Sequence, residues 1–188
     1  MDVSLELITA CRKKERKAQF ELYRLTYSYL MAICRRYSNN SSDADVLLNQ
    51  GFLKILNNLN KYQTKIPFGL WIRRVMINVT IDEFRKRKRD LRMVDYVDNY
   101  DLTHETPITN DVIMQMNLDS IYYSLDQLPP SSRNVFNLFV IDGYSHKEIA
   151  ILLNISEGTS KWHVNFARVK LKEIIMASNN STIYKKAI

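Results

Sequence analysis

The sequence is poor in the residues that break helices and close turns. Its 188 residues include only four glycines and four prolines. No Asn-Gly or Asp-Gly pair stands between alternating apolar and polar residues, the pattern that predicts a β-hairpin. No glycine-rich loop suited to phosphate is present either. Apolar residues recur at helical spacing instead, so the sequence predicts an all-α fold.

Cysteines, long apolar runs and catalytic motifs are scarce or absent as well. Cys11 and Cys34, the two cysteines, show no CxxC or metal-ligand spacing, and we expect reduced thiols in the cytoplasm. The apolar runs are short, and MDVSLELITACRKKERK lacks an apolar signal core, so we expect no membrane insertion. His104, His146 and His163 are scattered, without a Ser-His-Asp or HExxH pattern. An enzyme such as a nuclease or recombinase needs clustered catalytic residues. We therefore expect that the protein is not an enzyme and that it binds no metal or cofactor.

Charge falls in blocks along the chain. Residues 63–92 hold nine Lys and Arg against three Asp and Glu, whereas residues 93–128 hold seven acidic residues and no Lys or Arg. The basic block suits a polyanion such as nucleic acid, although a solvated charged face is the ordinary alternative. The first part of the acidic block, MVDYVDNYDLTHETPITNDV at residues 93–112, lacks a sustained helical period and predicts a linker. The predicted organisation is a helical domain at 1–92, an acidic linker at 93–117, a second helical domain at 118–180 and a tail at 181–188.

One segment, FGLWIRRVMINVTIDEFRKRKRD at residues 68–90, combines a tryptophan, a helical pattern and a run of cations. Four apolar residues are spaced to face a core: Ile72, Val75, Met76 and Val79. A second strip carries an aromatic ring and hydrogen-bonding groups: Trp71, Arg74, Asn78, Asp82 and Arg85. Aromatic rings stack on unpaired bases, and cations such as Lys86 contact phosphate. The alternative is a half-buried tryptophan beside a solvated basic helix end, which the helix dipole favours.

The C-terminal third carries the start and stop signals of a helix-turn-helix. Ser145 and Glu148 have the spacing of a capping box for the helix HKEIAILL. Asn154 suits the left-handed conformation of a tight turn, and Ser156 caps a longer helix running to about residue 176. A generic helical bundle does not predict two successive caps at this spacing, so we expect a DNA-binding helix-turn-helix.

That longer helix shows two stripes. Its core stripe is Val164, Ala167, Leu171 and Ile174, and its polar stripe is Lys161, Asn165, Arg168 and Lys172. A recognition helix places a polar stripe of this kind in the major groove of DNA.

Three stretches resemble a known family, the bacterial extracytoplasmic-function sigma factors of the sigma-70 group. DADVLLNQGFLKILNNL resembles the family's polymerase-binding helix, and the segment 68–90 resembles its promoter-melting and minus-ten-reading segment. LPPSSRNVFNLFVIDGYSHKEIAILLNISEGTSKWHVNFARVKL resembles its minus-thirty-five-reading domain. The resemblance covers most of residues 10–176 in the expected order. It implies a cytoplasmic sigma factor with three partners: core RNA polymerase, promoter DNA and an anti-sigma factor.

The resemblance also implies site residues. Val46 and Gln50 stand where the family usually has acidic residues, so we expect polymerase contacts from Asp43, Asp45, Leu47, Leu48, Phe52 and Ile55. Trp71 and Asn78 match the minus-ten positions, and Lys65 precedes them in a loop. The minus-thirty-five contacts are expected from Ser156, Thr159, Ser160, Lys161, Trp162, Asn165, Arg168 and Lys172. Trp162 and Phe166 are equally compatible with packing inside the domain. A plain helix-turn-helix regulator, which never binds polymerase, is the remaining alternative.

Overall fold

The computed structural model describes residues 3–38, 40–90 and 118–185, except for the side chains of 118–121 and 178–185. Within these ranges every regular element is a helix and no strand occurs, which confirms the all-α prediction. The chain divides into two units, Met1–Leu91 and Arg92–Ile188. The predicted acidic linker and His104 lie outside the described residues. No helix in the described ranges is long and apolar enough to cross a membrane.

The N-terminal unit contains four helices: α1 (Leu5–Arg12), α2 (Arg16–Tyr37), α3 (Ser41–Asn58) and α4 (Phe68–Asp90). A 3-10 turn, Leu59–Lys61, continues α3. Side-chain caps fix where two of the helices begin. The Ser4 hydroxyl accepts the N–H of Leu7 at 3.2 Å, and Asn40 Oδ1 accepts the N–H of Asp43 at 2.8 Å. Each cap satisfies an amide that the helix itself leaves without a partner.

The core of this unit forms where α2, α3 and α4 meet. Its largest fully buried side chains include Leu22, Leu30, Leu48, Ile55, Ile72, Met76, Ile77 and Ile81. Of the four residues of α4 predicted to face a core, Ile72, Met76 and Val79 are buried. Val75 is only partly buried, because the buried face of α4 is turned toward Ile77 and Ile81. The prediction for Val75 was therefore wrong, and the core face is broader than one strip.

Residues of all three helices pack around Met76. The Cys34 sulfur lies 3.5 Å from the Met76 sulfur, and a Cβ placed on Gly51 would collide with the end of the Met76 side chain. Glycine on α3 therefore makes room for methionine from α4. Cys11 and Cys34 are both free and buried. Burial raises the pKa of the Cys34 thiol to about 12, so this thiol stays protonated at neutral pH.

We expect Gly51→Ala to destabilise the N-terminal unit by up to about 2 kcal/mol, because overpacking a filled core costs about 1 to 3 kcal/mol and alanine returns about 1 kcal/mol of helix propensity. Alanine alone favours a helix, so the loss must come from the collision with Met76. Chemical denaturation followed by circular dichroism measures the change. Gly158→Ala is the control, since the nearest atom to its Cβ, the Ser156 hydroxyl oxygen, lies 3.5 Å away. In a Met76→Ala background Gly51→Ala should stabilise. A stabilising Gly51→Ala in the parent would contradict this packing.

The C-terminal unit begins with two short helices, α5 (Leu118–Asp126) and α6 (Pro130–Phe136). A π-helical turn, Asn137–Ile141, follows α6. The last two helices are α7 (His146–Leu153) and α8 (Glu157–Lys185). Leu125, Leu128, Phe136, Ala167 and Leu171 form a buried apolar cluster. The long helix α8 is thereby packed on the elements that precede it.

The predicted signals that begin α7, end α7 and begin α8 are confirmed. Ser145 accepts the N–H of Glu148, and the Glu148 carboxylate accepts the N–H of Ser145 at 2.8 Å, which is a capping box. Asn154 has φ 53° and ψ 54°, the left-handed conformation. The Ser156 hydroxyl accepts the N–H of Thr159 at 2.9 Å. Helix, tight turn and helix therefore follow one another as in a helix-turn-helix.

The core stripe of α8 was predicted correctly except at its end. Val164, Ala167 and Leu171 are buried. Ile174 is only half-buried, and Ile175 is buried in its place. The fixed spacing that predicted Ile174 drifts from the 3.6-residue period over several turns, so the error appears late in the helix. The helix also continues to Lys185, beyond the predicted end near residue 176.

Candidate nucleic-acid and polymerase interfaces

An exposed polar strip runs along α4, as the sequence predicted. Arg74, Asn78, Asp82 and Arg85 are exposed, and Trp71 at the start of the strip is half-buried. The Asp82 carboxylate accepts a hydrogen bond from the Lys54 ammonium of α3 at 3.1 Å. This ion pair offsets the one negative charge in the strip, although an exposed pair adds little stability. The strip thus offers two guanidinium groups and an amide for hydrogen bonds beside an indole ring.

Trp71 belongs to a cluster of three aromatic rings. Its ring centroid lies 5.3 Å from that of Tyr62 and 5.8 Å from that of Phe68, and the Tyr62 and Phe68 centroids are 5.1 Å apart. Tyr62 and Phe68 are buried, so Trp71 is the member that reaches solvent. The half-buried tryptophan of the alternative interpretation is therefore present. The remaining exposed part of the indole is where a base would stack, and that role stays a prediction.

The cations at the end of α4 are not equivalent. Arg87 donates to the Asp43 carboxylate at 2.7 Å and to the Glu83 carboxylate at 3.1 Å. The hydrogen bond from Arg87 holds the pKa of Asp43 below its usual value, so the carboxylate stays ionised at neutral pH. Lys86 and Arg89 are exposed. Phosphate contacts are thus expected from Lys86 and Arg89, while Arg87 ties α4 to the start of α3.

The docking residues expected on α3 need correction. Leu47, Leu48 and Ile55 are buried in the core of the unit, so they cannot contact a partner protein directly. Phe52 is half-buried, with its ring edge against Tyr23 at a centroid distance of 4.9 Å. Asp45 is exposed. Asp43, the remaining residue of the predicted set, is held by Arg87 and is only partly exposed.

The exposed face of α3 was missed by the sequence analysis. Val46 and Leu53 are 51% and 59% exposed, and Gln50 lies exposed between them on the same stripe. Their i, i+4, i+7 spacing was available in the sequence. Apolar residues occur on both sides of α3, however, so spacing alone did not indicate which side is buried. A protein that binds this stripe would contact two aliphatic side chains and one amide.

The polar stripe of α8, called the recognition stripe below, lies at the surface as predicted. Lys161 and Asn165 are exposed, and Arg168 and Lys172 are partly exposed. Ser160 was predicted to contact DNA, and this was wrong because its side chain is fully buried. Its hydroxyl oxygen lies 2.9 Å from Nδ1 of His146. Ser160 therefore joins α8 to α7 rather than facing a ligand.

Two histidines fix α8 against the preceding helices. His146 stacks on Phe139 with a centroid distance of 4.2 Å, and it hydrogen bonds Ser160. Burial lowers the pKa of His146; Lys161 and Arg168 act in the same direction and Glu157 opposes them. The imidazole is therefore neutral at pH 7. Nδ1 of His163 lies 2.9 Å from the Ser132 hydroxyl of α6. These hydrogen bonds orient the recognition stripe.

The remaining predicted residues of α8 lie near its N-terminal end. Trp162 and Phe166 stack on one another at a centroid distance of 5.2 Å, and both rings are partly exposed. Such a pair combines packing with a free surface, so both interpretations of these rings stay open. Ser156 is exposed and Thr159 partly exposed, and their hydroxyl oxygens lie 2.8 Å apart. Among the side chains that the structure describes, no cluster of three or more His, Cys, Asp or Glu is arranged to hold a metal ion.

Comparison with known proteins identifies both units. The family model "Sigma-70 region 2" matches residues 22–90, and "Sigma-70, region 4" matches residues 118–171. The extracytoplasmic-function sigma factor SigW of Bacillus subtilis is 25% identical over 174 residues, which cover 88% of this chain and 93% of SigW. The chain belongs to the extracytoplasmic-function group of the sigma-70 family. As a member of this group, it is a promoter-directing factor of transcription initiation.

Another relative agrees with this assignment, and a solved structure resembles the fold. The sigma factor SigE of Mycolicibacterium smegmatis is 28% identical over 163 residues, which cover 86% of this chain but 60% of SigE. The chain thus spans less than two thirds of SigE. The sigma factor RpoE of Bartonella quintana, solved in complex with the anti-sigma factor NepR, has a TM-score of 0.52 at 20% identity. That match covers 83% of this chain and 95% of the RpoE chain, and it supports the fold.

Proposed function

We propose that the two units of this sigma factor divide the work of promoter recognition. The N-terminal unit binds core RNA polymerase and captures unpaired bases of the minus-ten element, and the C-terminal unit reads duplex DNA at the minus-thirty-five element. The observation that carries the proposal is that each unit presents an exposed polar strip, on α4 and on α8, backed by a buried core. Each strip carries the side-chain types that its DNA form requires.

The strip on α4 suits DNA that has lost its pairing. Separating a duplex costs about 1.4 kcal/mol per base-pair step. Stacking of a base on an aromatic ring returns roughly 1 to 3 kcal/mol, so an indole such as that of Trp71 is large enough to matter. The Asn78 amide and the Arg74 guanidinium bond the exposed base edges, and Lys86 contacts phosphate. Lys65, exposed in the loop before α4, contacts the same strand.

Core RNA polymerase docks on the exposed face of α3. Val46, Gln50 and Leu53 form the centre of this face, and Asp45 lies at its side. Leu47, Leu48 and Ile55 support the face from inside the unit. Apolar side chains at the centre of an interface with polar groups around them are the usual arrangement in protein complexes.

The remaining features of the proposed function follow from its partners. The factor works in the cytoplasm, where core polymerase and promoter DNA meet. It performs no catalysis of its own, because polymerase supplies the chemistry. An anti-sigma factor is its expected regulator by family resemblance. Association with purified core RNA polymerase is the experiment that tests the proposal: a plain helix-turn-helix regulator would leave the enzyme unbound, whereas this chain should form a stable holoenzyme.

Substitutions in α8 should separate base reading from phosphate binding. Lys161→Ala and Asn165→Ala should each reduce the preference for the promoter over random DNA by about 1 to 3 kcal/mol, because each removes a base-edge contact. Lys172→Ala should weaken all sequences alike and lower the salt dependence of binding by about one counterion. Titration of holoenzyme with promoters selected from a random library measures both effects. Equal losses on promoter and random DNA for all three variants would contradict sequence reading by α8.

A further inference from the structure

Tyr62, which no sequence pattern marked, is held at four points. Its N–H donates to the Leu59 carbonyl at 3.1 Å, and its own carbonyl accepts from Arg12 Nη2 at 2.9 Å. Its hydroxyl donates to the carbonyl of Ile66 at 2.9 Å. Its buried ring packs against Phe68 and Trp71. Its backbone, hydroxyl and ring are all constrained, so this residue fixes the local geometry.

The hydroxyl bond of Tyr62 closes the short loop that precedes α4. The loop passes through Gln63, Thr64 and Lys65, whose side chains are all exposed. A turn bond from the N–H of Ile66 to the Gln63 carbonyl at 3.4 Å lies inside the closed loop. An amide, a hydroxyl and an ammonium group are thus presented from a backbone that is anchored at both ends. Groups presented in this way lose less entropy when they bind a ligand.

Arg12 anchors the same loop from a distant part of the chain. Besides its bond to Tyr62, its Nε donates to the Leu59 carbonyl at 3.1 Å. These two carbonyls stand on either side of the 3-10 turn after α3, since Leu59 is its first residue and Tyr62 its C-cap. A cation is favourable at the C-terminal end of a helical segment. The first helix of the unit, α1, is therefore connected through Arg12 and Tyr62 to Trp71.

We propose that Tyr62 is a positioning residue for the strand-capture surface, which comprises the exposed strip of α4 and Lys65, and that Arg12 supports it. Tyr62 fixes the conformation of the loop so that Lys65 can contact the unpaired strand. Its ring fixes the orientation of the Trp71 indole. Neither residue needs to touch DNA for this role. The inference rests on the proposed function of α4, and it extends that function to α1, which contributes no residue to the strip.

The test uses Tyr62→Phe, which keeps the ring and removes only the hydroxyl. Holoenzyme made with this variant should bind the single non-template strand of a library-selected promoter about fivefold more weakly than the parent, the loss expected for one hydrogen bond. The salt dependence should fall by at most about one counterion, because the loop closed by the hydroxyl bond carries one cation, Lys65. Tyr27→Phe is the control, since it removes an exposed hydroxyl from α2 of the same unit. It should bind as the parent does.

A double-mutant cycle with Lys65→Ala shows whether Tyr62 acts through the loop. In the Lys65→Ala background Tyr62→Phe should weaken strand binding by less than about twofold, because the ammonium group that Tyr62 positions is gone. Arg12→Lys keeps the charge but loses the planar guanidinium that donates to both carbonyls. It should weaken strand binding as Tyr62→Phe does. Parent-like binding by Tyr62→Phe, or a full loss in the Lys65→Ala background, would overturn the inference. Failure of the parent holoenzyme to bind the strand would instead overturn the proposed function.

Discussion

Leu53→Asp is expected to lower the affinity for core RNA polymerase at least about thirtyfold while leaving the N-terminal unit folded. Leu53 is 59% exposed on α3, so its replacement disturbs no core of the free protein. In the complex the aspartate would be buried without a partner. Losing a side chain at the centre of an interface costs about 2 kcal/mol or more of binding free energy. Binding of labelled core polymerase measures the affinity, and circular dichroism verifies the fold.

Two other leucine-to-aspartate variants make this result interpretable. Leu5 on α1 is also 59% exposed, and Leu5→Asp should leave polymerase affinity unchanged. Leu48 lies on α3 but is only 1% exposed, so Leu48→Asp places a charge in the core and should unfold the unit. If Leu53→Asp is folded and binds as tightly as the parent, the exposed face of α3 is not the docking face.

The second large effect is expected at Trp71, because opening requires the bases to be captured after they separate. Trp71→Ala removes the stacking surface but keeps the cations at the end of α4. The rate of opening on duplex promoter should fall roughly 5- to 150-fold, which corresponds to about 1 to 3 kcal/mol of stacking. Formation of the closed complex should survive. Permanganate reactivity of unpaired thymines follows opening directly.

The partial burial of Trp71 calls for a control that perturbs the same ring cluster. Phe68 is buried against Trp71, so Phe68→Leu lowers the stability of the unit but keeps the indole. It should open promoters at nearly the parent rate. A promoter with a pre-opened minus-ten bubble should restore most of the transcription lost in Trp71→Ala. If folded Trp71→Ala opens duplex promoters as the parent does, Trp71 is a packing residue only.

Features that depend on neighbouring residues could be predicted from the sequence. The capping box at Ser145 and the left-handed Asn154 involve bonds within one turn, so their residue types alone indicate them. The polar strips of α4 and α8 were also predictable, since an amphipathic helix keeps its polar face in water. The fold class and the family followed from these local patterns in their order.

Features that depend on distant contacts could not be predicted. Ser160 lies among polar residues in the sequence, which predicts an exposed side chain. In the structure α7 covers it, and it forms a hydrogen bond with His146. The buried side of α3 is decided by α2 and α4, because apolar residues lie on both of its sides. Arg12 and Tyr62 are fifty residues apart in sequence. No local spacing indicates that they meet, so the support of the capture surface appears only in the folded chain.

The central claim, that this chain directs RNA polymerase to promoters, is tested most directly by transcription in vitro. Purified core polymerase from the bacterium that encodes the chain is supplied with that bacterium's genomic DNA, with and without the purified protein. The 5′ ends of the transcripts are then sequenced. We predict discrete start sites that appear only with the protein and share sequence elements near minus ten and minus thirty-five. Folded protein that produces no new start sites would contradict the account.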